Sequence, residues 1–321
     1  MRVLIVKLSS LGDVVHTMPV VHDIHAAFPD AVIDWVVEPG FAPLLRRVEG
    51  IGEVIECALR RWRQRWWSGA VRAEWRNFRE RLRRERYDVV IDQQGLTKSA
   101  LIARLARGEH VGLANRTDGA GYEAPARWLA DRAIRVEPHS HALDRARELA
   151  SRALDYRLAG APVFGLQRCA QVQPVLVFVH GTSRDDKLWP EADWIALGRR
   201  AVASGLRIAL PHAGAAELAR AQRIAAAIGT AAEVWPAMDL DALTDRLGGC
   251  LGVIGVDSGL SHIAVALDLP HVQIYNFPTA WRTGPQAEHG HRHQVSVEGQ
   301  SIPSLEAVWA AWTQVAEAAR E

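Results

Sequence analysis

The sequence predicts an α/β protein with two Rossmann-like, doubly wound parallel-sheet domains that face a central cleft. Two observations predict this class. Short apolar strands alternate with helical patterns along the 321 residues, and the alternation runs in two series of similar length. Such alternation forms parallel sheets through right-handed crossovers. A segment without periodicity, 159–173, separates the series, so we expect domains over 1–165 and 166–321.

Each element is predicted from its hydrophobic period. In the first series, apolar runs predict strands at 2–7, 32–37, 53–56, 88–92 and 109–113, and helical spacing predicts helices at 13–27, 70–86 and 97–106. In the second series, the strands are 175–179, 206–210, 232–235, 251–256 and 271–275, and the helices are 190–203, 214–228, 239–248 and 258–267. An amphipathic C-terminal helix over 305–319 can pack on either domain.

The composition is that of an ordinary globular protein, with 49% hydrophobic residues, 23% charged residues and a net charge of +1. No apolar run is long enough to span a bilayer, and a strand rather than a signal peptide follows Met1. Cys57, Cys169 and Cys250 lie far apart without metal-ligand spacing. We therefore expect a cytoplasmic protein with no disulfide scaffold, no metal site and no cofactor.

The segment 180–190 carries the strongest chemical signal. It follows the apolar run 175–179 and precedes a helix, which is where open α/β sheets bind ligands. Thr182, Ser183 and Lys187 offer two hydroxyls and an ammonium, which suit a phosphate group. The spacing of a P-loop is absent.

A second loop, 255–262, also follows a strand and opens a helix. Gly255 and Gly259 flank Asp257 and Ser258, an arrangement that lets backbone amides approach an anion, and His262 lies one helical turn beyond Ser258. The alternative is a plain turn with an incidental histidine.

Asp13 follows the first strand in Lys-Leu-Ser-Ser-Leu-Gly-Asp, residues 7–13. It is either a helix-capping residue or a general base, which the helix N-terminus keeps ionised.

Two further residues lie after predicted strands of the second series. Glu217, at the start of a helix, is a candidate for bonding a ribose diol, although a solvated helix glutamate is the common case. Met238 begins another helix, where it would either contact a base or pack in the core.

The segment 60–86 holds eleven arginines and three glutamates, together with Trp62, Trp66, Trp67 and Trp75. Such a segment can bind nucleic acid, lie on an anionic membrane, or be a solvated helix face with core tryptophans. Gln94 and Lys98 add polar groups after the strand that ends at Asp92.

Together these residues resemble the family 9 glycosyltransferases. The resemblance extends along the whole chain and is strongest at 1–19, 35–38, 60–67, 91–99, 182–190 and 256–262. It implies a GT-B fold and an inverting, metal-independent transfer of heptose. The donor would be ADP-L-glycero-β-D-manno-heptose, and the acceptor the inner Kdo of Kdo-lipid A. The protein would act peripherally on the cytoplasmic face of the inner membrane, with no nucleic-acid partner.

The resemblance also assigns roles to residues. Asp13 would be the general base, Lys187 would stabilise the departing ADP, Glu217 would hold the ribose, and Met238 would lie against adenine. The remaining donor residues would be Thr182, Ser183, Asp257, Ser258, Gly259 and His262. The acceptor residues would be Lys7, Ser10, Arg60, Arg61, Arg63, Gln94 and Lys98. Ser183 and Ser258 stand where threonine is common in the family, and the glycine-rich segment 114–124 matches poorly, so no role is assigned there.

Two other functions remain open at this point. One is a family member with a different acceptor, such as heptosyltransferase II. The other is a nucleotide-sensing or nucleic-acid-binding protein that uses the segment 60–86.

Overall fold

The computed structural model of the chain describes residues 1–168 and 171–319. Residue contacts divide the chain into two units, Met1–Gly165 and the part that begins at Leu166. Cys57 and Cys250 are buried free thiols, whereas Cys169 lies outside the described residues. None of the described helices is both long enough and apolar enough to cross a membrane.

The first unit contains a six-stranded parallel sheet in the order β3-β2-β1-β4-β5-β6. The strands are β1 (Arg2–Val6), β2 (Val32–Val37), β3 (Ile51–Glu56), β4 (Arg86–Asp92), β5 (Arg107–Leu113) and β6 (Arg132–Ile134). β1 pairs with β2 and β4, and its residues 3–6 are fully buried. A continuous apolar strand suits this place because helices cover both faces of a parallel sheet.

Eight helices are described in the first unit. They are α1 (Leu11–Thr17), α2 (Pro19–Ala27), α3 (Ala42–Leu45), α4 (Leu59–Gln64), α5 (Gly69–Arg84), α6 (Thr97–Ala103), α7 (Ala124–Leu129) and α8 (Ala142–Leu154). The prediction of one helix over 13–27 is wrong, because α1 ends at Thr17 and α2 begins at Pro19. Proline has no N–H to continue a helix, but it fits the first position of a new one.

The second unit repeats the design, with a parallel sheet in the order β12-β11-β10-β7-β8-β9. Its strands are β7 (Gln173–Val179), β8 (Arg207–Leu210), β9 (Ala232–Val234), β10 (Cys250–Val256), β11 (His271–Tyr275) and β12 (Gln294–Glu298). In both units the first strand lies inside the sheet, between the second and the fourth. The predicted class of two doubly wound α/β domains is confirmed.

The helices of the second unit are α9 (Glu191–Ala203), α10 (Ala215–Ile228), α11 (Leu240–Gly248), α12 (Gly259–Ala266), α13 (Ala280–Thr283) and α14 (Leu305–Ala318). The C-terminal helix α14 packs on the second sheet, where Val308 and Trp312 join the buried cluster around Phe178. Gly252 permits this packing, because a Cβ there would lie 2.6 Å from the Trp312 ring. The sequence allowed this helix to pack on either domain, and it packs on the second.

Several elements were not predicted from the sequence. β6 has three residues, and β12 alternates polar and apolar residues, so neither gives the apolar run of a central strand. α8 is amphipathic, with Leu143 and Leu149 buried, and ends where Asp155 adopts a φ of 55°. It lies in an arginine-rich stretch in which charge outweighs the apolar signal.

Candidate functional site

The second sheet reverses its strand order beside β7, which lies between β8 and β10. The loops that leave adjacent strands at such a reversal diverge and open a crevice that binds ligands in α/β proteins. Here the two loops follow Val179 and Val256. The first begins the segment 180–190, and the segment 255–262 runs from the end of β10 through the second loop into α12. The structure thus brings together the two segments that the sequence selected separately.

An ion pair joins these two loops. Lys187 Nζ donates to Asp257 Oδ2 over 2.5 Å, and His262 Nε2 lies 3.4 Å from Asp257 Oδ1. The side chains of Lys187 and Asp257 are 28% and 14% exposed. Burial raises the pKa of the Asp257 carboxyl, but His262 and Lys187 outweigh burial and hold that pKa well below its ordinary value. The ionised carboxylate therefore fixes the Lys187 ammonium, which is half of an ion pair.

One hydroxyl and the start of α12 lie next to this pair. Thr182 Oγ1 donates to the carbonyl oxygen of Asp257 over 3.0 Å, and the neighbouring Ser183 is exposed. Ser258 is the N-cap of α12, and Gly259 is the first residue of that helix. Because a helix N-terminus presents unpaired N–H groups and a partial positive charge, it favours an anion. A fixed ammonium next to these amides makes this edge of the sheet suited to a phosphate group.

Glu217 lies beside the first loop. It is in the first turn of α10, and its Oε2 accepts a hydrogen bond from Ala213 N over 2.7 Å. A Cβ on Gly181 would lie 2.5 Å from the Glu217 carboxylate carbon. Glycine is therefore required at position 181 for the carboxylate to reach the loop that carries Thr182.

Met238 is half-buried in the loop between β9 and α11. The expectation that it begins a helix is wrong, because Asp239 is the N-cap, accepting from Ala242 N over 2.9 Å, and the helix begins at Leu240.

Asn276 is a site residue that the sequence analysis missed. It directly follows β11 and is 8% exposed. Its Nδ2 donates to the carbonyl oxygens of Asp186 and Leu188, both at 3.0 Å. These two carbonyls flank Lys187, so the asparagine holds the backbone on both sides of the lysine. Its position after a strand, at the same edge as Asp257, is the signal that could have found it.

In the first unit, Asp13 and Lys7 form a similar pair. Asp13 Oδ2 accepts from Ser10 N over 3.1 Å and from Ser10 Oγ over 2.9 Å, and Lys7 Nζ lies 4.0 Å from Asp13 Oδ1. Burial raises the pKa of Asp13, but Lys7 and the two Ser10 hydrogen bonds outweigh it and hold that pKa below its ordinary value. Asp13 is in the third position of α1 and Ser10 is the N-cap. The carboxylate thus stabilises the helix start while staying 38% exposed.

Gln94 is placed differently from the expectation that it faces an acceptor. It is buried, and its Oε1 accepts from Leu8 N over 2.8 Å. Asp92 holds it in turn: Asp92 Oδ1 accepts from Gln94 N at 2.9 Å and from Gly95 N at 3.3 Å. Burial raises the pKa of Asp92 to about 6. Gln94 therefore supports the loop that carries Lys7 and Ser10.

The other predicted acceptor residues lie nearer the surface. Lys98 is half-buried in the first turn of α6. Arg60 and Arg63 are exposed on α4, and Arg60 Nε lies 3.2 Å from Glu38 Oε1. Arg61 pairs with Glu74 at 2.5 Å. α4 therefore presents a basic surface that is partly neutralised by two carboxylates.

The tryptophans of segment 60–86 divide into two kinds. Trp62 is buried and packs edge-to-face on Trp75, with 5.4 Å between ring centroids. Trp66 and Trp67, between α4 and α5, are 54% and 76% exposed. Two of the four tryptophans, Trp62 and Trp75, therefore belong to the core, and the other two are exposed.

Two Rossmann-like units, one of them with a candidate phosphate site at its switch point, fit the GT-B class of nucleotide-sugar transferases. Residues 75–307 match the sequence profile of glycosyltransferase family 9 (heptosyltransferase). The chain belongs to this family and is a glycosyltransferase, as the resemblance implied.

Its relatives agree with this assignment. The chain is 41% identical to lipopolysaccharide heptosyltransferase 1 of Escherichia coli K12 over 283 residues, which cover 86% of this chain and 88% of that protein. It is similar to the structure of the E. coli heptosyltransferase WaaC with ADP, with a TM-score of 0.88, 35% identity and coverage of 98% and 100% of the two chains. The structure of WaaC with ADP-2-deoxy-2-fluoro heptose gives a TM-score of 0.82 at 37% identity, covering 97% and 98%.

Proposed function

We propose that this chain transfers L-glycero-D-manno-heptose from ADP-heptose to the inner Kdo of Kdo-lipid A, with inversion at the anomeric carbon. The observation that carries the proposal is the Lys187–Asp257 ion pair at the switch point of the second sheet, next to Thr182 and the start of α12. The relatives named lipopolysaccharide heptosyltransferase 1, and the WaaC structures with ADP and an ADP-heptose analogue, support this donor.

The second unit would bind the donor. Lys187, with the hydroxyls of Thr182, Ser183 and Ser258, would hold the diphosphate, and the negative charge that develops on ADP would be stabilised by this ammonium and the α12 amides. Glu217 would bond the ribose diol and Met238 would lie against the adenine. Asp257, Gly259 and His262 would contact the heptose and its phosphate. Asp257 has a second task here, since it keeps Lys187 at a fixed place before the charge develops.

Asp13 would act as the general base of the first unit. The oxygen of the acceptor hydroxyl attacks the anomeric carbon, the bond from that carbon to the phosphate oxygen breaks, and ADP leaves with the electron pair. The hydroxyl proton passes to the Asp13 carboxylate. Lys7 and Ser10 keep this carboxylate ionised, but they also make it a weak base. The proton therefore transfers late, once the nucleophile has begun to carry positive charge.

The acceptor would be bound by basic residues of the same unit, Lys98 and the arginines Arg60, Arg61 and Arg63. Their charge suits the Kdo carboxylate and the lipid A phosphates. Gln94 would act indirectly, because it bonds to Leu8 N in the loop that carries Lys7 and Ser10. Since this acceptor is anchored in a bilayer, we place the enzyme peripherally at the cytoplasmic face of the inner membrane.

The test is a transfer assay with ADP-heptose and deacylated Kdo-lipid A, in which the release of ADP is measured. Wild-type protein should release ADP only when both substrates are present. Asp13→Asn should reduce kcat at least a hundredfold and leave ADP affinity nearly unchanged. Asp193→Asn is the matched control, since Asp193 occupies the same position in the first turn of α9. Absence of ADP release by wild-type protein, or an Asp13→Asn variant that retains most of its rate, would contradict the proposal.

The alternative within the family is a different acceptor, as in heptosyltransferase II. Offering the enzyme bare Kdo and heptosylated Kdo in separate reactions decides between them. A preference for the heptosylated acceptor in kcat/KM would favour the alternative.

A further inference from the structure

Four arginines form a stripe along α5. Arg72, Arg76, Arg79 and Arg83 recur at intervals of four, three and four residues. In an α-helix this spacing places all four on one side within about 60°, over roughly 16 Å. All four are exposed. We call them the α5 arginine stripe.

The stripe differs from the other arginines of the same helix. Arg81 and Arg84 both pair with Glu53 at 2.7 Å. Within residues 1–168 and 171–319, none of the four stripe arginines forms an ion pair. Arg76, Arg79 and Arg83 instead line an open depression of about 430 Å³, with Glu80 as its one acidic lining residue. The stripe therefore carries a net positive charge, with four guanidinium groups and the single carboxylate of Glu80 beside them.

Exposed aromatic residues precede the stripe. Trp66 and Trp67 lie three and two residues, respectively, before α5 begins at Gly69, and both are more than half exposed. Tryptophan is enriched where an apolar phase meets water, and guanidinium groups pair with phosphate oxygens. Two exposed indoles at one end of a row of arginines match the surface of an anionic bilayer, in which phosphates lie above an apolar layer.

We propose that the α5 arginine stripe, with Trp66 and Trp67, is a docking surface for anionic phospholipid. This surface is distinct from Arg60, Arg61 and Arg63 on α4, which the proposed function assigns to the acceptor. It goes beyond the proposed function by naming the face of the protein that rests on the lipid. Each arginine near an anionic membrane surface contributes about fivefold in affinity, so two should contribute about 25-fold.

The experiment measures cosedimentation of the full chain with vesicles of phosphatidylcholine alone and with about 30% phosphatidylglycerol. Wild-type protein should bind only the anionic vesicles, and binding should fall steeply as salt rises. Arg76→Gln/Arg79→Gln should bind about 25-fold more weakly. Arg107→Gln/Arg157→Gln is the matched control, because both residues are exposed arginines of the same unit. This control should bind nearly as wild type.

Two more measurements distinguish lipid binding from catalysis and from nucleic-acid binding. Both double variants should keep wild-type kcat/KM on the water-soluble, deacylated acceptor, since none of these arginines is assigned to substrate. Trp67→Ala should weaken binding to anionic vesicles and leave the affinity for a single-stranded oligonucleotide unchanged. The proposal would be overturned if both double variants lost the same affinity for anionic vesicles, or if the wild-type protein bound neutral vesicles. Tighter binding of the wild-type protein to the oligonucleotide than to anionic vesicles would also overturn it.

A second, independent observation concerns Asn276. Its amide donates to the carbonyls of Asp186 and Leu188, while Thr182 at the other end of the loop is bonded to Asp257. The loop is thus held at both ends, and the hydrogen bonds from Asn276 hold the end that contains Lys187. We infer that Asn276 is a positioning residue for Lys187, an inference that rests on the donor site of the proposed function.

Asn276→Ala tests this inference. Hydrogen exchange of the peptide 184–188 should accelerate at least tenfold, and ADP affinity, measured by calorimetry, should fall about tenfold. KM for the acceptor should not change. Asn115→Ala is the matched control, because Asn115 Nδ2 also donates to two carbonyls, those of Arg116 and Val136 at 2.9 and 3.1 Å, in the first unit. Unchanged exchange of 184–188, or unchanged ADP affinity in a variant whose loop has loosened, would overturn the inference. The exchange readout needs no substrate, so it stands even if the proposed function fails.

Discussion

The buried carboxylate of Asp92 predicts how the stability of the first unit changes with pH. Burial raises its pKa from 3.8 to about 6. Because the folded protein binds this proton more tightly than the unfolded chain does, Asp92 contributes stability below about pH 4, and that contribution is lost as the pH rises to 6. A difference of about two pKa units corresponds to about 3 kcal/mol. The ionised Asp92 of the wild type therefore destabilises the first unit by about that amount at neutral pH.

Asp92→Asn removes this charge and keeps an oxygen that accepts from Gln94 N and Gly95 N. The variant should match wild-type stability at pH 4 and exceed it by about 3 kcal/mol at pH 7. The assay is amide hydrogen exchange of peptides from β1 and β4, corrected for intrinsic rates and read as the free energy of opening of the first unit.

The control for this assay is Asp88→Asn. Asp88 lies on the same strand but is exposed, and accepts from Arg2 N over 2.7 Å. Its difference from wild type should stay below about 1 kcal/mol at every pH. If the Asp92→Asn difference is the same at pH 4 and pH 7, Asp92 does not titrate in this window and the reasoning is refuted.

Three other changes test the charge on Lys187, the donor site around Glu217 and the stability of the first unit. Lys187→Gln should reduce kcat about a hundredfold or more, because the developing charge on ADP loses its ammonium, whereas Arg184→Gln should have little effect; steady-state kinetics decides, and equal rates would remove Lys187 from the mechanism. Gly181→Ala should weaken ADP binding about tenfold by displacing the Glu217 carboxylate, as calorimetry would show, and unchanged affinity would mean that Glu217 does not contact the nucleotide. Asp23→Ala should destabilise the first unit by about 3–5 kcal/mol in urea unfolding, since the buried Arg147 guanidinium loses both of its hydrogen bonds to that carboxylate; a change below 1 kcal/mol would contradict this.

Where a segment has one dominant period, the sequence predicted the fold well. β1 is a run of apolar residues, and α5 spans 69–84 where 70–86 was predicted. Elements whose stability comes from their neighbours were not found. β6 and β12 are edge strands, so one side of each has no partner, and neither carries the apolar run of a central strand. The break at Pro19 was missed because the apolar spacing continues across it.

The sequence by itself determined which chemical groups are present and at which strand ends they lie, because motif residues directly follow apolar runs. Thr182, Lys187 and Asp257 were found in this way. Only the tertiary structure decided which of these groups meet. Lys187 and Asp257 are 70 residues apart in the chain and form an ion pair because β7 and β10 are neighbours in the sheet. In the same way, Gln94 bonds to Leu8 N, and Asn276 bonds to the carbonyls on both sides of Lys187. These hydrogen bonds join segments that are distant in the chain. They form because of the strand order, which no local sequence pattern contains.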